Sequence, residues 1–162
     1  IGNEGEIFWN PKSGSLRLSD GSTVGGVDVT GLSNGFQARN NTPSDSVLGI
    51  ANGATSNVDL VGQKGYVLFS ITANKACRVV VYTDSASRTA DAGRVQGVAP
   101  STNSGVIAEA VFTGENTVHF SPGLFGYNNE SSPTTTIPVA VTNNTGAECD
   151  IAIELSILKL EH

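Results

Sequence analysis

Hydrophobic residues recur along this chain in short runs and two-residue alternations, broken by Gly, Asn, Asp and Pro. Six runs stand out in the second part of the chain, at 66–72, 78–83, 106–112, 117–120, 137–142 and 151–158. In the last, Ile151, Ile153, Leu155 and Ile157 point one way while Ala152, Glu154 and Ser156 point the other. That is the period of a strand with one buried and one solvated face. Strands separated by turn residues predict an all-β fold: an antiparallel, jelly-roll-like β-sandwich over 58–160. Helical periodicity is confined to the neighbourhood of 88–94, where Thr89 is the expected cap of a single turn. Pro138 lacks a ladder donor, so its strand is expected at an edge or bulged at that point.

The first 57 residues read differently. A strand at 6–10, a Pro-Lys-Ser-Gly turn at 11–14 and a return strand at 15–18 make a hairpin, after which Asp20-Gly21 and Gly25-Gly26 break the chain. This 1–29 module forms an N-terminal β-hairpin extension too small to be stable alone, so it must pack on the rest of the chain or on a second copy. Phe8 and Trp9 are neighbours on one strand and face opposite sides. One must face outward unless a neighbouring chain covers it, which makes the pair a candidate trimer contact. Residues 30–57 read as a linker carrying edge strands, one of them at 47–50. The chain opens on Ile, and Leu160-Glu161-His162 matches what a cloning site and polyhistidine tag leave, so 161–162 is set aside as a tag remnant and the chain is read as part of a longer protein.

Composition sharpens this picture. Gly, Ser, Thr and Asn fill 65 of 162 positions, charged residues only 15%. A helical bundle is excluded, while 38% hydrophobic residues suffice for a core. The net charge is −6, and four Lys and five Arg are scattered without a run. A nucleic-acid partner needs a basic stripe to displace phosphate counterions, and none is present. No stretch approaches the roughly 20 apolar residues that span a bilayer, so no membrane insertion is expected.

The candidate chemistry is sparse. Cys77 and Cys149 are too far apart in sequence for a metal motif; they read as buried thiols or as a disulfide between neighbouring strands. Outside the terminus His119 is the only histidine. It alternates with Val118 and Phe120 and belongs on the wetter face, which leaves a Ser-His-Asp triad or a histidine metal site without support, and no metal or cofactor is expected. Asp59, Asp84, Asp91, Glu109 and Glu130 offer carboxylates for sugar cleavage, but their spacing singles out no pair. Asp84, Arg88, Asp91 and Arg94 form the densest polar cluster. It reads first as a structural knot, with an Arg88–Asp91 pair or with Asp91 tying the loop's own amides, and second as a subunit or sugar contact. Phe125, Tyr127, Asn128 and Asn129 lie in loop-like text. Aromatic rings among amides suit stacking and hydrogen bonding to a sugar; the alternative is a loop pinned to the sandwich by Phe125.

Two segments resemble a known class of protein. Glu6-Ile7-Phe8-Trp9-Asn10-Pro11 together with Leu16-Arg17-Leu18-Ser19-Asp20-Gly21-Ser22-Thr23-Val24-Gly25-Gly26 resembles the hairpin module of bacteriophage tail fibres, frequent in phages of cyanobacteria. Val81-Tyr82-Thr83-Asp84-Ser85-Ala86-Ser87-Arg88-Thr89-Ala90-Asp91, with Gly65–Phe69, Gly105–Glu109 and Val139–Asn143, resembles a β-sandwich domain of phage virion proteins. The resemblance implies a virion location after assembly in the host cytoplasm, a homotrimer, and a non-enzymatic attachment or structural role. The expected partner is a host-surface glycan at the end of a tail fibre, or other virion proteins if the domain decorates a capsid or tail. A polysaccharide-degrading enzyme is the third reading.

Overall fold

A computed structural model describes residues 4–10, 15–28 and 42–161. The expected turn at 11–14 and the first part of the expected linker, 30–41, lie outside the described residues. The chain divides into two compact units, Ile1–Gln37 and Ala38–His162.

In the first unit, β1 (Ile7–Asn10), β2 (Ser15–Leu18) and β3 (Val27–Asp28) form an antiparallel sheet in that order. The register pairs Trp9 with Leu16, Ile7 with Leu18, and Leu18 with Val27. Alternation therefore gathers Ile7, Trp9, Leu16, Leu18 and Val27 on one face. Trp9 is 59% exposed there, while Phe8, on the other face, is half-buried against Gly26. Gly26 sits at φ +68, and a Cβ on it would lie 3.0 Å from the Phe8 ring, so only glycine fits. The Asp20 carboxylate accepts from the Ser22 and Thr23 amides and the Thr23 hydroxyl, which holds its pKa far below the usual range and closes the turn that brings β3 back.

The second unit is a jelly roll. Its strands are β4 (Ser44–Ile50), β5 (Thr55–Val61), β6 (Gly65–Ala73), β7 (Cys77–Tyr82), β8 (Val106–Phe112), β9 (Asn116–Tyr127), β10 (Thr136–Asn143) and β11 (Cys149–Glu161). One sheet runs β5-β10-β7-β8 and the other β4-β11-β6-β9. All pairings are antiparallel, and they nest: β4 with β11, β5 with β10, β6 with β9, β7 with β8. The inner faces meet in a core that includes Leu60, Val79, Val81, Val139 and Val141 from one sheet and Leu68, Ile71, Ile151, Leu155 and Ile157 from the other. At about 25 cal/mol per Å² of apolar surface, this burial is the main stabilising term of the unit.

Both edge strands in the 44–61 region belong to the sandwich, β4 closing one sheet and β5 the other. Glu161 continues β11 in register with Gly65. The expectation for Pro138 is corrected. Its strand is central, lying between β5 and β10's other neighbour β7, and the ladder to β5 runs through it without a bulge. The first position in register with β7 is Val139, opposite Val81, so at Pro138 the strand has a neighbour on one side only. A residue without an N–H fits there.

The outer face of β7 is also buried. Val80 and Tyr82 pack with Ala140 and Val106 in a small second cluster. A single helical turn, α1 (Ser85–Ala90), follows β7. Its cap is Asp84, not Thr89. The Asp84 side chain accepts from the Ser87 amide at 2.6 Å, while the Thr89 hydroxyl donates back to the Ser85 carbonyl inside the helix.

Candidate functional site

The Asp84–Arg94 cluster is a knot within the chain. Arg94 Nε donates to both oxygens of Asp91 at 2.8 and 3.0 Å, and its Nη1 donates to Glu109 on β8 and to the Val98 carbonyl. Arg78 on β7 donates to the other Glu109 oxygen at 2.7 Å and to the Arg94 carbonyl, and the Tyr82 hydroxyl donates to Asp91 at 2.9 Å. Both Asp91 and Arg94 side chains are 6% exposed. The Arg94 hydrogen bonds lower the Asp91 pKa against the opposing effect of burial. Burial pushes Glu109 up but is outweighed by its bonds to Arg78 and Arg94, so its pKa is lowered too. Burial, helped by the bond to Asp91, pushes Tyr82 up to about 12.

The expected Arg88–Asp91 pair does not form. Asp91 takes Arg94 instead, and Arg88 turns into the sandwich. Its Nη1 donates to the Val58 and Val139 carbonyls at 2.9 and 3.2 Å and to Asp59 at 2.6 Å. Arg88 thus staples α1 to β5 and β10, an arrangement local spacing cannot show.

The second predicted cluster is only partly brought together. Of the stretch read as a loop, the residues up to Tyr127 belong to the edge strand β9, paired with β6 so that Val67 faces Phe125 and Gly65 faces Tyr127. Two residues apart on one strand, Phe125 and Tyr127 share a face, and they are 76% and 55% exposed. Phe125 therefore does not pin a loop. It continues a row with half-buried Val67 and Leu158 on the outer surface of the sheet. Gly126 between them faces inward, under the Tyr66 ring, where a Cβ would overlap the ring carbons. An aromatic laid over a cross-strand glycine explains how a glycine-rich stretch stays in strand form.

Asn128 is corrected as a ligand contact. It is buried, and its amide is fully engaged: Nδ2 donates to the Thr136 carbonyl and Thr134 hydroxyl, and Oδ1 accepts from the Glu130 and Thr134 amides. It is the scaffold of the 128–136 loop. Asn129 is exposed, but its amide N–H donates to the Thr83 carbonyl and its side chain bonds Asp84. Burial pushes Asp84 up; hydrogen bonds from Ser87, Thr83 and Asn129 outweigh it and lower its pKa. The loop is thereby tied to the α1 cap.

Between this loop, α1 and β5 lies a cleft of about 390 Å³. Its walls carry Asp59, Glu130, Ser85, Ser131, Ser132, Thr134 and Thr136, with Pro138 the one apolar lining residue. Glu130 Oε1 accepts from the Ser85 amide and hydroxyl at 2.8 and 2.7 Å. Asp59 Oδ1 takes Arg88. The second oxygen of each carboxylate has no hydrogen-bond partner among the described residues. Tyr127 stands three residues before Glu130 in the chain, but its ring shares the outer face of β9 with Phe125 and does not line the cleft. Sequence spacing did not pair Asp59 with Glu130. The only local signal was the hydroxyl-rich run from Ser131 to Thr136.

The remaining candidates are placed plainly. His119 is exposed on the outer face, while Val118 and Phe120 pack on the core. Cys77 and Cys149 are free thiols; burial and the electrostatic influence of Cys149 push Cys77 up to about 11. Among the described residues no group of three or more His, Cys, Asp or Glu could hold a metal ion, and no helix is long and apolar enough to cross a membrane. A second depression of about 260 Å³, lined in part by Asp45, Thr72, Asn74, Glu115 and Glu154, holds none of the predicted site residues. No protein-family model and no curated protein matches the sequence.

Proposed function

We propose that this chain is a non-enzymatic phage virion protein and forms the host-attachment end of a trimeric tail fibre, with a surface glycan as its ligand. The observation that carries the reading is the pair of exposed aromatic rings, Phe125 and Tyr127, side by side on the outer face of β9; a separate cleft of hydroxyl and carboxylate groups adds to it. Rings offer a sugar its stacking surface, and the cleft offers hydrogen-bonding partners. Jelly rolls recur in lectin and capsid domains, which agrees with the reading, although fold alone does not set function. The apolar face of Ile7, Trp9, Leu16, Leu18 and Val27 supports assembly, since a three-stranded sheet this small gains stability by covering such a face.

The test is adsorption. The purified chain should bind host cells and compete with phage attachment, Phe125→Ala with Tyr127→Ala should abolish both, and light scattering should give a trimer mass. A well-folded trimer that neither binds cells nor competes would sink the attachment reading. The apolar sheet face equally suits the second reading, a capsid-decoration or tail-assembly protein touching only virion partners, and immunolocalisation on the capsid shell would establish it.

A further inference from the structure

Resting on that reading, we infer that the cleft between the 128–136 loop, α1 and β5 selects saccharides that present uncharged hydroxyls or amino groups, and rejects acidic ones. The chemistry of the walls sets this preference. Among the described residues every charged side chain lining the cleft is a carboxylate, Asp59 or Glu130. Arg88, the cation bonded to Asp59, is buried with its charge directed to two strand carbonyls and that carboxylate. Each carboxylate keeps one oxygen without a partner among the described residues, an acceptor that a ligand O–H or N–H satisfies. Ser131, Ser132 and Thr134 add hydroxyls that donate or accept. A carboxylated sugar would bring like charge against these two groups, within a chain already at −6. An amino sugar would form a charge-assisted bond at the same positions. At about 390 Å³ the cleft lies in the size range of small-ligand sites, of roughly 300–1,000 Å³.

The experiment is calorimetric titration of the full chain at low salt near neutral pH. The probes are β-1,4-linked tetramers of glucose, glucosamine and glucuronate. Glucosamine should bind tighter than glucose by about tenfold and glucuronate weaker by a similar factor, the difference between a charge-assisted and a neutral hydrogen bond. Glu130→Gln keeps the oxygen that Ser85 needs and should bring glucosamine and glucose to near parity. Ser132→Arg should reverse the preference in favour of glucuronate. Tyr127→Ala, whose ring lies outside the cleft lining, should leave the order of preference unchanged. Tightest binding of glucuronate by the unmodified chain would overturn the inference and leave the attachment reading standing. So would the absence of sugar binding by a chain that still adsorbs to cells. An unchanged preference in both folded cleft variants would overturn the inference by placing the sugar elsewhere. Failure of both sugar binding and adsorption would overturn the inference together with the attachment reading.

Discussion

Replacing Arg94 with alanine tests how the long 91–105 segment is held on the sandwich. The guanidinium bonds both Asp91 oxygens, Glu109 and the Val98 carbonyl. Without it, Asp91 keeps the Tyr82 hydroxyl and Glu109 keeps Arg78. Deleting one partner of a buried ion pair costs about 3–5 kcal/mol, because the surviving charge stays in a medium of low dielectric. An exposed pair contributes only about 0–1 kcal/mol. Asp91 is 6% exposed and Glu109 22%, so the first loses nearly all solvation and the second recovers some. The expected loss is therefore near the lower bound, about 3 kcal/mol, or a fall in Tm of roughly 10 °C for a chain of this size. Urea unfolding at pH 7 measures it directly.

The pH dependence gives the sign. The folded-state pKa values of Asp91 and Glu109 lie below their unfolded values. Their contribution is fully present above the unfolded carboxylate range, about pH 4–4.5, and disappears as the pH falls through the folded values. The gap between parent and variant should therefore close in acid. The loss should also be independent of protein concentration, because every partner is in the same chain. A loss under 1 kcal/mol at pH 7 would refute the buried-pair argument. A concentration-dependent loss would restore the cluster as a subunit contact.

Asp84→Ala removes the α1 cap and the Asn129 side-chain tie to the 128–136 loop, and should lower stability by about 1–2 kcal/mol in chemical denaturation. Tyr66→Phe should be neutral or stabilising, because the Tyr66 hydroxyl is buried without a hydrogen-bond partner among the described residues; a loss above about 1 kcal/mol would contradict this. Phe125→Ala and Tyr127→Ala should leave the Tm nearly unchanged, within about 0.5 kcal/mol, since both rings are exposed. At pH 8 a maleimide should label half-buried Cys149 in the native protein and spare Cys77, whose thiol is buried and pushed up to about 11; mass mapping after labelling reads the site.

Strands whose two faces differ in polarity were legible in the chain. β11 is the clearest case, with Ile151, Ile153, Leu155 and Ile157 buried. β5 escaped because Val58 and Leu60 are its only buried apolar residues, set among Thr55, Asn57 and Asp59. The end of β9 escaped because Pro122, Gly123 and Gly126 are loop residues by habit; what keeps them in a strand is the covering Val67, Phe69 and Tyr66 side chains of β6, which only the register discloses. Arg88 carries no local mark because its partners lie on β5 and β10. The cleft fails the spacing test for the same reason, since Asp59 and Glu130 meet through topology. That topology was itself within reach. A jelly roll is a long hairpin rolled on itself, so its strands pair from the outside inward, first with last. Applied to residues 55–61, this nesting sets them against the run at 137–142; the ladder itself then puts Asp59 opposite Pro138. The residues just before β10 include Glu130 and the hydroxyl run, so the pairing rule brings both carboxylates to one end of the sheet where spacing along the chain could not.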